Sequence, residues 1–199
     1  MDRRPELHAV VEVDSLPERL WVPLPPKPWP GFVRLSGSTP VEHVALLVAV
    51  VSSYGANSEE PATSVEALLN NFPQILPGGI AVVSSDSVIM PGCCCGLDGW
   101  PEWRKVLTEG LSPWTGHDPS PVVEVVGDEI RVWSEGGMSG KRNDEQPIVF
   151  ERALFAEALG QVSKDLVAFL GPLRSWLNDH GGECAEEFVV RFADSFVRG

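Results

Sequence analysis

The sequence predicts an α+β domain: a mostly antiparallel sheet covered on one face by N-terminal and middle helices and by a long C-terminal helical segment. Three observations carry that expectation. Residues 121–134 alternate apolar and polar side chains on either side of Gly127-Asp128, a hairpin pattern. Phe155, Leu159, Val162, Leu166, Phe169, Leu173 and Trp176 recur at alternating steps of four and three, the spacing of one helical seam. Between residues 40 and 53 an apolar run follows Thr39-Pro-Val-Glu42, a capping-box pattern with proline at the first helical position.

Taken in order, His8 to Val13 has strand-forming residues, and Trp21 to Pro30 (WVPLPPKPWP) holds too many prolines for a helix or a central strand. Residues 1–36 are therefore expected to be an extended, proline-rich segment, with a short strand at Phe32 to Leu35. A buried helix is expected from 40 to 53. A second capping box, Thr63-Ser-Val-Glu66, predicts a shorter helix to about Phe72, ended by Pro73 and Pro77-Gly78-Gly79.

Ile80 to Val83 and Ser87 to Met90 read as two strands joined at Ser84-Ser85-Asp86, in the same sheet as hairpin 121–134. Asp98 opens a helix with Pro101 in its first turn and Gly110 at its end, which puts Cys93-Cys94-Cys95 on a strand-to-helix loop. Residues 135–147 hold several glycines and charges without periodicity and predict a mobile loop. Residues 148–198 read as helical, divided or kinked at Gly171-Pro172, with a last helix over Cys184 to Val197.

At 199 residues and 43% apolar content the chain suits a single globular domain, 1–199. The longest apolar run, Val44 to Val51, falls far short of the roughly 20 residues needed to cross a bilayer. No membrane partner is expected. The first residues lack a signal-peptide pattern, and the clustered cysteines do not form a disulfide framework, so a cytoplasmic location with reduced thiols is expected.

A net charge of −13 speaks against nucleic-acid binding, which needs a basic patch. Between Leu35 and Trp103 there is no Lys or Arg, while Glu42, Glu59, Glu60, Glu66, Asp86, Asp98 and Glu102 fall inside that stretch. Such a field keeps a protein soluble and also steers a basic partner.

Pro91 to Pro119 carries the densest chemistry. A thiolate at a helix entrance is a nucleophile or a metal ligand. In an extended chain Cys93 and Cys95 share one side and Cys94 takes the other. His117 and Asp118 lie in Ser-Pro-Trp-Thr-Gly-His-Asp-Pro-Ser-Pro, a rigid segment able to fold back over the triplet. That allows a Cys-His-Asp site, or a metal set of Cys93, Cys95 and His117 completed by Cys184 or His180, although consecutive cysteines depart from the usual C-x₂-C spacing. The favoured reading is that the thiols pack between glycines beneath Trp100 and Trp103.

Trp100, Trp103, Trp114 and Trp133 lie close in sequence to Asp98, Glu102, Asp118 and Glu135. Aromatic faces fringed by carboxylates suit Lys- or Arg-bearing partners. The candidate binding residues are Asp98, Trp100, Glu102, Trp103, Trp114, His117 and Asp118. Standard phosphate-loop, dinucleotide, zinc-protease, nucleophile-elbow and EF-hand motifs are missing from the sequence. The expected function is a non-catalytic acidic protein-binding module of immunity or inhibitor type, without cofactor, that neutralises a basic protein such as a toxin. The alternative is a thiol- or metal-dependent enzyme centred on Cys93 to Cys95 with His117 and Asp118.

Overall fold

A computed structural model describes residues 4–13, 31–53, 61–136 and 146–198. The proline-rich stretch 21–30 and most of the loop expected at 135–147 lie outside the described residues. The chain has an α+β fold, and it forms two compact units, each from two separate stretches. The first holds residues 1–10 and 77–164, the second residues 11–76 and 165–199. None of the described helices is long and apolar enough to cross a membrane.

Strands β1 (Glu6–Glu12), β2 (Phe32–Arg34), β3 (Gly78–Val83) and β4 (Val88–Ile89) form a sheet in the order β2-β1-β3-β4. In the first unit, β3 and β4 make the expected hairpin, Val82 opposite Ile89 and Val83 opposite Val88. Ser84 closes its turn twice, through its backbone N–H to the Ser87 carbonyl (2.8 Å) and through its hydroxyl, which accepts from the Ser87 N–H (3.1 Å).

Strands β5 (Val122–Val126) and β6 (Glu129–Trp133) form the second hairpin, with Gly127 at φ 61° in the two-residue turn. This hairpin belongs to a separate three-stranded sheet, not to the sheet of β3 and β4. Its third strand is β7 (Ile148–Glu151), a stretch expected to be helical. Ile148 and Phe150 face inward with Val123, Ile130 and Val132, so the period here is two, and pairing to β6 overrides the helical run that follows. Trp133 therefore lies on the opposite face from the inward Val132. Its indole N–H points to Glu124 (3.4 Å).

A 3₁₀ helix, Leu97–Trp103, leads into α3 (Arg104–Glu109), which ends at Gly110 with φ 69°. Trp103 stacks on Phe155 (6.2 Å between centroids), and Phe155 meets Phe150 edge-on (5.4 Å). The inward face of the three-stranded sheet thus meets an aromatic ring at Phe150.

In the second unit, α1 (Val41–Ser53) is buried from His43 to Ser52 on every side, which accounts for its nearly unbroken apolar sequence. Thr39 does not form the expected capping box. Its hydroxyl accepts from the Ser36 N–H (2.8 Å) and turns back to the carbonyls of Arg34 and Ser36, because the preceding turn captures it first. Helix α2 (Pro61–Leu69) begins two residues before the second capping box, with Pro61 in the first turn where a missing N–H costs nothing.

Helix α4 (Arg152–His180) contributes to both units and buries all seven residues of the predicted seam. It is not divided at Gly171-Pro172, since Pro172 lies inside one 29-residue helix. Burial of Phe169 and Leu173 on either side holds the segment helical against the lost backbone bond. Helix α5 (Ala185–Phe196) adds Phe188, Phe192 and Phe196, which pack with Phe72 and Phe169 at centroid distances of 5.3 to 6.4 Å.

Candidate functional site

The site is built from two loops of the first unit, Pro91–Cys95 and Ser112–Pro121. The first is a tight turn: the Cys95 N–H bonds the Gly92 carbonyl (3.3 Å), which puts Cys93 and Cys94 at the two corners. Cys94 has φ 63°, the left-handed conformation that such a corner normally assigns to glycine or asparagine. Holding a side-chain-bearing residue there costs on the order of 1 kcal/mol or more. Both Cys93 and Cys94 are consequently exposed, and the alternation expected of an extended chain fails at this residue.

The second loop closes on the first through three backbone hydrogen bonds. Gly92 N–H bonds Thr115 O (2.8 Å), Cys93 N–H bonds Asp118 O (3.2 Å), and His117 N–H bonds Cys93 O (3.0 Å). The approach is close enough to require two glycines. A Cβ at Gly92 would lie 1.7 Å from the Pro119 carbonyl oxygen, and one at Gly116, whose φ is 106°, would lie 2.5 to 2.7 Å from backbone atoms of Gly92 and Cys93. The Asp118–Pro119 bond is cis.

This clasp does what the sequence only allowed, bringing residues 93–95 and 117–118 together. Among the described residues, Cys93, Cys94 and His117 place one potential ligand atom each within 4.8 Å of one another, and all three are exposed. Trp114 buttresses the group: its indole N–H donates to the Cys94 carbonyl (3.2 Å), and its ring meets the His117 imidazole edge-on at 4.7 Å.

Cys95 is separate from them. It is 6% exposed, its thiol directed at the Trp114 carbonyl (3.7 Å), and its sulfur fills the space over Gly79. Burial, reinforced by the charges of Asp98 and Glu102, pushes its thiol up to about 11. Packing between glycines thus describes Cys95 alone. The metal set expected from sequence changes accordingly: Cys94 takes the place of Cys95, and Cys184 and His180 belong to the second unit, where the His180 ring stacks on Trp176 (4.6 Å).

The aromatic rim is reduced in the same way. Trp100 is 1% and Trp103 3% exposed, so neither presents a ring to a partner. The face of Trp100 is covered by the chain's own Arg104, whose guanidinium lies 4.8 Å from the ring centroid. The 3₁₀ turn points both indoles inward, and large rings bury wherever a core is available. Trp114 alone of the three stays open, at 45%. Asp98, Glu102 and Asp118 are exposed, and Glu102 is paired with Lys105 (3.4 Å).

Cys93 and Cys94 were absent from the binding residues singled out in the sequence. The available signal was the pair of glycines, Gly92 before the first loop's cysteines and Gly116 before His117, each marking a close backbone approach. In comparisons with known proteins, the chain matches no family model, no curated protein and no solved structure.

Chemically, the trio offers two soft sulfurs and one imidazole. Ligand–metal distances near 2.3 Å for sulfur and 2.0 Å for nitrogen set ligand–ligand separations of about 3.5 to 4 Å around one ion. Three exposed side chains within 4.8 Å reach that spacing by small χ rotations.

Proposed function

We propose that this chain is a metal-binding protein that holds one thiophilic transition-metal ion on the sulfurs of Cys93 and Cys94 and an imidazole nitrogen of His117. The convergence of these three side chains on a clasp of backbone hydrogen bonds supports the reading. Metal ligation uses both thiols at once, whereas a nucleophile needs one. Soft thiolates select copper, zinc or iron-sulfur chemistry over magnesium or calcium. Anaerobic titration of the reduced chain with Co²⁺, read by sulfur-to-cobalt charge transfer, tests it. One equivalent is expected per chain, lost in C93S/C94S and weakened in H117A. Persistence of the band in C93S/C94S, or its absence together with failure of the chain to bind Cu(I) or Zn(II), overturns the proposal.

A second reading keeps the basic protein partner, with the chain acting as an inhibitor or immunity-type module. What favours it is that Asp98, Glu102, Asp118 and Trp114, all of the first unit, are exposed. Partner affinity would then fall steeply between about 50 and 500 mM salt, and salt-independent binding would dismiss the reading.

A further inference from the structure

Resting on the metal-site proposal above, we infer that the ion suited to Cys93, Cys94 and His117 is monovalent copper, bound three-coordinate and open to exchange. The donor count comes first. Zinc completes four ligands, drawing all four from the protein at structural sites and adding a water to three protein ligands at open ones. Here the trio supplies three, and the nearest further sulfur, that of Cys95, is turned away against the Trp114 carbonyl and Gly79. Two thiolates and an imidazole complete the trigonal coordination of a soft monovalent ion, which needs no fourth donor.

The clasp explains exchange. Its three cross-loop hydrogen bonds and the Gly92–Gly116 approach are made by main-chain atoms, apart from the three side-chain donors. All three donors are exposed, which leaves the ion open to attack by an incoming thiolate of a small-molecule chelator or another protein. A structural metal is enclosed. One held on a solvent-facing corner is positioned for transfer.

Trp114, bonded to Cys94 and in contact with His117, is the built-in reporter. The test uses the full, reduced chain under anaerobic conditions against Cu(I) buffered by bicinchoninate, and in parallel Zn(II) buffered by a chromophoric chelator. One Cu(I) per chain should leave bicinchoninate, with tryptophan quenching at the same stoichiometry that disappears in W114F. X-ray absorption should show two sulfurs and one nitrogen, and Cu(I) should displace Zn(II) from the site. C95S should bind as the wild type does, while C93S/C94S should not. H117A should lose the nitrogen scatterer and bind more weakly, which covers the case in which C93S/C94S fails to fold. Retention of one Zn(II) that Cu(I) does not displace overturns this inference and leaves the metal site standing. Failure of both ions to bind overturns the two together.

Discussion

Replacing Gly92 with alanine is the sharpest challenge to the clasp. The added methyl would sit 1.7 Å from the Pro119 carbonyl oxygen, backbone that cannot rotate away, whereas ordinary contact needs about 3.5 Å. The two loops must therefore part by about 1.5 to 2 Å. That stretches the bonds Gly92 N–Thr115 O, Cys93 N–Asp118 O and His117 N–Cys93 O, now 2.8 to 3.2 Å, beyond hydrogen-bond reach. At about 1 kcal/mol net for each, with some relaxation, the variant should lose about 2 to 4 kcal/mol. Gly99 is the matched control, because nothing lies within 4 Å of a Cβ there, and Gly99→Ala should stay within about 0.5 kcal/mol of wild type. Urea unfolding followed by tryptophan fluorescence measures both, and cobalt titration measures the site. A Gly92→Ala chain with wild-type midpoint and one full equivalent of bound Co²⁺ would refute the account of how Cys93, Cys94 and His117 are brought together.

Further expectations follow from burial. The Cys95 thiol is held neutral, its pKa raised from 9.0 to about 11, so the unfolded chain ionises first as pH rises. Its contribution to stability, about 2 to 3 kcal/mol, is complete below pH 9 and disappears between pH 9 and 11. C95A should flatten that part of a stability-versus-pH curve, and an unchanged slope would contradict the assignment. Cys93 and Cys94 should react with iodoacetamide in the native protein while Cys95 reacts only with denaturant present, and uniform labelling of all three would contradict the burial pattern. On α4, Leu166→Ala should cost about 2 to 5 kcal/mol and its exposed neighbour Val167→Ala less than about 0.5, read from thermal unfolding.

What could be read from the sequence was what local rules govern. The seam of α4 follows one period over seven residues, and each of them is buried. Gly127-Asp128 announced its hairpin because the turn is short and glycine takes the positive φ. The misreadings involve partners distant in sequence. Ile148 to Glu151 carries no turn signal of its own and becomes a strand because β6, fifteen or more residues earlier, offers an unpaired edge. Pro172 stays helical because its neighbours are buried.

At the site, the composition of both loops was legible, as was the possibility that they meet. Which thiols would face outward was not, since that depends on one backbone angle at Cys94. Trp100 and Trp103 misled because four indoles near carboxylates look like a surface, while a 3₁₀ turn repeats every three residues and sends both of these rings to the same buried side.

Each compact unit is assembled from two stretches that the other interrupts. During synthesis from the N terminus, residues 11–76 emerge with α1 and Phe72 in place, and roughly ninety residues of the first unit must follow before residues 165–199 appear. At about 5 to 20 residues per second, that is an interval of several seconds. Through it, Phe72 lacks Phe188 and Phe196, the rings it packs against in the finished protein. The nascent chain is therefore most vulnerable to aggregation before its C-terminal helix is made, and a chain stopped at Lys164 would lose solubility even with every residue of the Cys-Cys-His clasp already present.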